Sequence, residues 1–339
     1  MPLPTMTIQH APIELLVARD EATAGIRLRR DPRFVRVRSG IYAATAAWRR
    51  LKPWERYLAR VHAFALRSPG AVFSHESAAA LLGLPVFGEP RDIHVFDPGR
   101  TRSFRFGDVL VHTSQDSRAI LERGSFAVTA VADTVVDLAR VLPPAFGLAT
   151  VDAALGGGPG HPSLDDMRDR AREQSARRGR LKLAWICDQA DGRAESPGES
   201  VSRAVISWWG FEPPEVQVEF AHEGVVDRVD FFWRRHRAMG ESDGYSKYAA
   251  DDPVELKRQL IAEKVREDRL RRHQGALARW DWSDSMRAVP LRDKLLLAGL
   301  EPAGRARTAM LATLRTHPRS LSRDELVARG PALRARSHG

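Results

Sequence analysis

Residues 225–244 read VVDRVDFFWRRHRAMGESDG, and this stretch decides the fold of the C-terminal half. Its first nine residues have the apolar pattern of a strand, the next four form a polar turn, and the rest predicts a second strand ending at a glycine. A capped helix pattern at 196–208 and a strand pattern at 216–220 precede it, and a long charged helix pattern at 254–273 follows. The order helix, three strands, helix predicts a mixed sheet flanked by helices.

Three acidic side chains are placed to meet on this sheet. Residues two apart on a strand point to the same face, so we expect Glu241 and Asp243 to lie together. Asp230 is on the preceding strand, one tight turn earlier, and a hairpin would bring it near them. Clustered carboxylates repel each other, and a divalent cation removes that penalty. We therefore predict metal ligands at Asp230, Glu241 and Asp243, with Mg²⁺ or Mn²⁺ as cofactor; the alternative is that Asp230 and Asp243 are turn or edge residues.

Five more polar residues are candidates around this centre. Glu199 completes an S-x-x-E capping box, so its carboxylate either caps the helix or takes a share in catalysis. Gln217 is placed to orient a water molecule. Lys247 follows the last carboxylate and either balances charge on a transferring phosphoryl group or is a solvated loop residue. Lys264 and Arg266, on the charged helix, either reach DNA phosphates or belong to a solvated face.

A basic hairpin marks the N-terminal part of the chain. Residues 34–38, FVRVR, alternate apolar and basic side chains, 39–40 are a Ser-Gly turn, and a returning strand follows. Short helical patterns near 13–17 and 22–28 precede the hairpin, which predicts a winged helix-turn-helix. Its basic side would face phosphates, and the alternative is a solvated edge hairpin. The candidate DNA-binding residues of this wing are Arg33, Arg36 and Arg38.

The composition of the chain limits the class of protein to which it can belong. The 339 residues carry 53 Lys and Arg against 43 Asp and Glu, a net charge of +10, which fits either nucleic-acid binding or an arginine-rich composition. No apolar run approaches the roughly 18 residues of a membrane span, and the first ten residues lack the pattern of a secretory signal. Cys187 is the single cysteine, which excludes an intramolecular disulfide. We expect a cytoplasmic protein without membrane partners.

These patterns divide the chain into five regions of an α+β protein. A glycine-rich run at 156–160 is the strongest linker signal. The predicted regions are a winged-helix-like DNA-binding region at 13–70, an α+β region at 71–155, a linker with a charged helix at 156–193, a nuclease-like domain at 194–300 and a basic tail at 301–339.

The nuclease-like domain resembles the DUF559 and very-short-patch-repair-like branch of the PD-(D/E)xK restriction-endonuclease-like superfamily. The segments that carry this resemblance are ESPGES (195–200), VDRVDFFW (226–233), GESDGYSKY (240–248), AEKVREDRLRR (262–272) and LARWDWSDSM (277–286), of which the last is expected to be a strand. The resemblance implies a Mg²⁺ site built from Glu199, Asp230, Glu241 and Asp243. The usual lysine position holds Asp243, so the positive charge would have to come from Lys247.

Residues 13–155 resemble the AbiEi-type antitoxin region. The segments that carry this second resemblance are RFVRVRSGIYA (33–43), FSHESAAALLGLP (73–85) and VTAVADTVVDLAR (128–140), the last of them in a stretch expected to be helical from Val128 to Val141. The resemblance implies a DNA-binding winged helix with a regulatory role in phage defence, and a toxin or other defence-system protein as partner.

Three functions compete at this point. The first is a Mg²⁺-dependent DNA endonuclease acting in phage defence or DNA repair, guided by the N-terminal region. The second is an antitoxin-like transcriptional regulator with a catalytically inactive nuclease fold, which the aspartate at the lysine position favours. The third is an interaction protein whose basic surfaces bind an acidic protein. The sequence leaves the recognised DNA and the oligomeric state open.

Overall fold

The structure, a computed structural model, describes residues 7–19, 28–158, 160–243, 253–322 and 324–326, and this part is α+β, as predicted. The strands are β1 Leu16–Val17, β2 Phe34–Arg38, β3 Ile41–Ala44, β4 Val72–Phe73, β5 Ile93–Phe96, β6 Phe104–Phe106, β7 Val109–His112, β8 Ile120–Arg123, β9 Phe126–Thr129, β10 Glu215–His222, β11 Val225–Trp233, β12 Ala238–Asp243 and β13 Ala276–Asp281. The helices are α1 Thr45–Arg50, α2 Pro53–Ala65, α3 His75–Leu81, α4 Val131–Val141, α5 Pro144–Leu155, α6 Leu164–Glu173, α7 Arg180–Gln189, α8 Pro197–Trp208, α9 Pro253–Gln274, α10 Trp282–Arg287, α11 Val289–Leu297 and α12 Thr308–Ala312. Two short 3₁₀ turns lie at Arg234–His236 and Thr313–Arg315.

The chain forms two compact units, and each is built from separate stretches of sequence. Unit 1 takes the described residues of 1–141, 159–180 and 317–339, and unit 2 takes those of 142–158 and 181–316. The boundaries of the two units therefore differ from those of the predicted regions. Helix α5, which was predicted in the region at 71–155, belongs to unit 2. The predicted basic tail is divided, because residues 301–316 belong to unit 2 and the described residues from 317 onward complete unit 1.

The predicted basic hairpin is present in unit 1. Strands β2 and β3 pair antiparallel around Gly40, whose φ of 74° suits a residue without a side chain. The third strand of this small sheet is β1, where a helix was expected near 13–17; Leu16 and Val17 instead pair with β3. Most of the helix expected near 22–28 lies outside the described residues.

A six-stranded mixed sheet, in the order β6-β7-β5-β4-β9-β8, forms the core of unit 1. The helix expected from Val128 begins later, because Val128 and Thr129 still pair with β8. Three histidines meet beside this sheet: the rings of His75 and His112 stack with centroids 3.9 Å apart, and His94 Nδ1 lies 2.9 Å from His112 Nε2. We call these three residues the histidine cluster.

The histidine cluster is held in the neutral form. Burial lowers the pKa of His94 to about 3 and that of His112 to about 2, and it holds the pKa of His75 well below its usual value. Glu76 Oε2 lies 3.3 Å from His94 Nε2 and favours its protonation, but Arg319 pairs with the same carboxylate and opposes this effect.

We predict that unit 1 loses stability as the pH falls below about 6.5. An unfolded histidine titrates near that value, so the unfolded chain binds more protons than the folded one, at a cost of about 1.4 kcal/mol per pH unit for each histidine that stays neutral. Hydrogen exchange in peptides covering residues 93–112 at pH 7.5, 6 and 5, corrected for intrinsic exchange, measures the loss. His94→Gln should flatten this dependence, and protection that is equal at all three pH values would contradict the prediction.

Unit 2 is built on a four-stranded sheet in the order β10-β11-β12-β13. The first three strands are antiparallel, and β13 returns parallel to β12 after helix α9. The predicted order helix, three strands, helix is confirmed. The last strand is shorter than expected, because Asp281 ends it by accepting the Asp284 N–H and starting helix α10.

Helix α8 is fixed to this sheet by one aromatic side chain. The Trp280 indole stacks on Phe231 with centroids 5.4 Å apart, and its N–H donates to Ser202 Oγ on α8 at 2.8 Å. Gly240 lies on β12, between the strands that carry these two rings. Because it has no side chain, it leaves space for the indole. The apolar face of α8 packs inward through residues that are at most 1% exposed, namely Val201, Ala204, Val205 and Trp208.

We predict that Gly240→Ala destabilises unit 2. The new Cβ would lie 2.5 Å from Trp280 Cη2, so the buried ring must move, which typically costs about 1–3 kcal/mol. Gly304→Ala is the matched control, because its nearest new neighbour is 3.9 Å away. Urea unfolding followed by tryptophan fluorescence reports mainly on unit 2, which holds six of the eight tryptophans. Equal unfolding midpoints for the two variants would rule the steric argument out.

Candidate active site

Asp230 lies at the point where strands β11 and β12 stop pairing. The last pair of that ladder is Phe231 with Gly240, so Asp230 and Glu241 are the next residues on the two strands. Asp230 Oδ2 accepts the backbone N–H of Ser242 at 2.8 Å, and Gln217 Nε2 lies 3.5 Å from its Oδ1. The Asp230 carboxylate is therefore anchored to the strand that carries the other two predicted ligands.

Gln217 connects Asp230 to helix α8. Its backbone is left-handed, with φ of 54°, at a gap in the β10–β11 ladder between the pairs of Val216 and Val218. This turn directs the amide inward, and Nε2 also donates to Glu199 Oε2 at 2.8 Å. Gln217 Oε1 is buried and has no hydrogen-bond partner among the described residues. A buried acceptor without a partner is costly, which marks this oxygen for a water or ligand.

Glu199 is buried, with 6% of its surface exposed, at the start of α8. Its carboxylate accepts the Glu195 backbone N–H at 2.9 Å and the Ser196 hydroxyl at 2.7 Å, while Ser196 Oγ accepts the Glu199 N–H. In a capping box this carboxylate accepts the backbone N–H of Ser196, but here it accepts the backbone N–H one residue earlier. Glu199 thus caps the helix and holds Gln217 as well. We call Glu199, Gln217, Asp230 and the Ser242 N–H the carboxylate–amide chain.

Glu241 and Asp243 point to the face covered by helix α9, where arginines meet them. Arg279 donates to both oxygens of Asp243 at 3.0 Å, and Arg266 donates to Glu241 Oε1 at 2.6 Å. Arg279 also pairs with Glu263 at 2.7 Å. We call these five residues the acid–arginine cluster.

The acid–arginine cluster holds three carboxylates and two arginines. Burial lowers the pKa of Arg279, but its bonds to Asp243 and the charge of Glu241 outweigh burial and raise that pKa above its ordinary value. The hydrogen bond to Glu263, opposed by burial, likewise raises the pKa of Arg266. Both arginines therefore keep their charge and offset most of the negative charge of the three carboxylates.

The three predicted metal ligands do not form a single centre. Among the described residues, no group of three or more His, Cys, Asp or Glu side chains is placed to hold a metal ion. Asp243 is engaged by Arg279 through both oxygens, so the prediction that it joins the metal ligands does not match this geometry. Glu241 Oε2 differs: it is buried and makes no hydrogen bond, although Arg279 Nη2 lies 3.3 Å away.

A two-carboxylate site fits the residues that remain. Mg²⁺ is usually bound by one or two carboxylates, with water and substrate phosphate completing its shell. Asp230 and Glu241 follow each other across the two strands, and both offer oxygen. Among the described residues of unit 2, one buried oxygen of Gln217 and one of Glu241 make no hydrogen bond. The donor set is therefore suitable for a hard cation at Asp230 and Glu241.

A cleft of about 590 Å³ in unit 2 opens onto the carboxylate–amide chain. Gln217 and Ser196 line it on one side, and Gly156 and Gly192 on another. Arg228 stands at its edge, paired with Glu195 and about half exposed. The cleft gives a small ligand or a strand of a polymer access to Gln217.

The remaining predicted residues are distributed over both units. Lys264 is largely exposed on α9 and pairs with Asp268, whereas Arg266 faces Glu241 and is mostly covered. Lys247 lies outside the described residues. Arg279, which sequence reasoning missed, is the central cation; a lone arginine in the apolar strand pattern ALARWD was the signal that pointed to it.

The arginines of the wing differ in what they face. Arg33 is strongly exposed and pairs with Asp31, and Arg36 is exposed on β2. Arg38 turns inward, pairs with Asp108 at 3.2 Å and lies 4.8 Å above the Phe64 ring. Arg33 and Arg36 are therefore accessible to a partner, and Arg38 has a structural role.

Comparison with known proteins gives relatives of undescribed function. The chain is 35% identical over 183 residues to two proteins of Mycobacterium tuberculosis, "Uncharacterized protein MT2308" of strain CDC 1551 / Oshkosh and "Uncharacterized protein Rv2248" of strain ATCC 25618 / H37Rv. Each match covers 54% of this chain and 65% of the relative, which is less than two thirds of its length. No protein-family model matches the chain. No solved structure matches it either. Within the described residues, no helix has the length and apolar character that crossing a membrane requires.

We predict that Arg279→Met destabilises unit 2 by on the order of 3 kcal/mol, because it leaves buried carboxylates without their cation. Arg228→Met is the control; its exposed pair with Glu195 should contribute at most about 1 kcal/mol. Thermal unfolding with and without 10 mM Mg²⁺ adds a second readout. If Glu241 binds cations, Mg²⁺ should stabilise the Arg279 variant more than the wild type. Equal destabilisation by the two substitutions would show that the acid–arginine cluster is not electrostatically coupled.

Proposed function

We propose that this chain is a DNA-binding protein whose unit 2 hydrolyses DNA phosphodiester bonds with a divalent metal ion. The observation that carries the proposal is the carboxylate–amide chain. Glu199, Gln217 and Asp230 come from three different elements, and hydrogen bonds tie them to the strand that carries Glu241. A buried acidic cluster of this kind at the edge of a cleft is costly to maintain without a cation or a substrate to balance it.

Asp230 and Glu241 are the proposed metal ligands. A bound Mg²⁺ or Mn²⁺ would polarise the phosphoryl oxygen and lower the pKa of a water molecule. Neighbouring residues of the chain fix the positions of these two carboxylates. The Ser242 N–H holds Asp230, and Arg266 holds one oxygen of Glu241 while leaving the other without a hydrogen bond. Both carboxylates are therefore ordered before a cation arrives.

Gln217 is the proposed water-positioning residue. Its Nε2 is committed to Glu199 and Asp230, so its orientation is set and Oε1 is directed away from them. An acceptor in that position can accept a hydrogen bond from the attacking water and so direct the lone pair of the water oxygen at phosphorus. Glu199 acts through Gln217 and is a positioning residue in this arrangement.

The resemblance to the DUF559 and very-short-patch-repair-like branch supports the same reaction. This chain departs from the pattern of that branch at the usual lysine position, which holds the acidic Asp243. We propose that Lys247 supplies the positive charge instead. The accessible wing arginines, Arg33 and Arg36, and the net charge of +10 support DNA as the substrate. A cytoplasmic location and a defence-system partner, as the antitoxin-like resemblance implies, belong to the same proposal.

The decisive experiment is cleavage of supercoiled and linear DNA with Mg²⁺ or Mn²⁺. Asp230→Asn and Glu241→Gln should each lower the rate by at least about 100-fold, because each removes a ligand charge while keeping the side-chain shape. Asp293→Asn, an exposed acid on α11, should cleave like the wild type. DNA binding in EDTA should be the same for all four proteins. Absence of cleavage with both metals, or full activity of Asp230→Asn, would refute the proposal.

A second candidate is a DNA-binding regulator with an inactive nuclease fold. The specific observation in its favour is that Arg279 donates to both oxygens of Asp243. The residue at the lysine position of the motif is therefore engaged in an ion pair. This candidate predicts salt-sensitive DNA binding that Asp230→Asn leaves unchanged, with no cleavage by the wild type. The same cleavage and binding measurements therefore distinguish the two functions.

A further inference from the structure

An exposed aromatic strand stands at one edge of the six-stranded sheet of unit 1. Strand β6 is the edge strand, and Phe106 keeps 51% of its surface exposed. The rings of Phe104 and Phe106 lie nearly parallel, at 23°, with centroids 5.9 Å apart. We call these two residues the aromatic edge. An exposed ring beside a half-buried one on an edge strand suggests a binding surface rather than core packing.

Basic side chains surround the aromatic edge. Residues 98–106 contain three arginines, of which Arg105 pairs with Asp92. The Arg100 guanidinium lies 4.5 Å from the centre of the Phe104 ring, and its Nε donates to Asp97 Oδ2 at 2.8 Å. That bond fixes the guanidinium over the ring, while Arg102 is exposed beside it. The surface thus combines flat aromatic faces with positive charge.

A cleft of about 340 Å³ lies against the same strand. Phe104 and Phe106 form part of its wall, and Val72, Val95 and Val111 contribute apolar surface. This volume falls within the range of small-ligand sites. The cleft therefore suits a flat, apolar ring that carries an anionic group toward Arg100.

We propose that the aromatic edge binds single-stranded nucleic acid, with a base stacked on Phe106 and backbone phosphates near Arg100 and Arg102. Base stacking on aromatic side chains combined with arginine contacts is the general way in which proteins hold single strands. A duplex does not meet this requirement, because its bases are stacked on one another. An extended peptide could pair with an edge strand, but it would not need arginines beside the rings.

The test uses the full-length protein in EDTA, so it does not depend on whether unit 2 cleaves DNA. Fluorescence anisotropy measures the Kd for a labelled 15-nucleotide dT strand and for a hairpin duplex. Phe106→Ala should weaken binding of the single strand roughly 5- to 150-fold, because stacking is lost, and change duplex binding by less than about 2-fold. Phe106→Trp keeps a flat ring and should bind like the wild type. Arg102→Gln should reduce the salt dependence of single-strand binding by about one phosphate contact.

Ile120→Ala is the matched control. Ile120 is 41% exposed on β8, the opposite edge of the same sheet, and its loss should leave both Kd values unchanged. Thermal unfolding confirms that each variant is folded. The proposal fails if the wild type does not bind the single strand, if Phe106→Ala binds it as well as the wild type, or if Ile120→Ala causes the same loss.

Discussion

The contact of the Trp280 indole with Phe231 and Ser202 is the constraint on which the rest of unit 2 depends. The ring lies on the sheet beside Gly240, and its N–H holds helix α8 at Ser202. Glu199 lies one turn earlier on that helix, so the position of its carboxylate relative to β10 and β11 follows from where the indole places the helix. A buried aromatic contact of this kind contributes both apolar area and a fixed angle, because a tryptophan N–H has one donor direction. Polar residues on separate elements can then meet within hydrogen-bonding distance.

On the face of the sheet that helix α9 covers, ion pairs determine how the side chains are arranged. Glu241 is 3% exposed, and Asp243 lies two residues further along the strand. Uncompensated, such carboxylates would be costly to bury. Arg266 and Arg279 approach from α9 and β13, elements that are adjacent only because β13 returns parallel to β12. Because β13 returns parallel to β12, each acidic residue of β12 has an arginine beside it. The helix between these strands completes the arrangement by adding Glu263, which shares both arginines.

Sequence reasoning found the elements of unit 2 and missed the contacts between their side chains. The i, i+3, i+4, i+7 pattern of α8 and the two-residue periodicity of β10 to β12 are local properties, so a single chain segment reveals them. The inward turn of Gln217 and the engagement of Asp243 by Arg279 depend on residues far apart in sequence, which no periodicity encodes. In unit 1, Leu16 and Val17 were expected in a helix, but pairing with β3 overrode their weak local preference. Helix α4 was predicted to begin too early because a short apolar strand and a buried helix turn have similar composition. The division into units was also hard to foresee, because it depends on which distant segments pack together.

The interleaving of the two units has a consequence for how the protein is made. Unit 1 uses residues from both ends of the chain: Arg319 pairs with Glu76, and Ser320 bonds Glu89 beside the bridge to Pro90. All of unit 2 is synthesised before Arg319 leaves the ribosome. Until then Glu76, placed next to three neutral histidines, has no guanidinium to meet. Unit 1 therefore reaches its final form only after unit 2 has been translated, and a chain cut short after residue 316 would leave unit 1 incomplete.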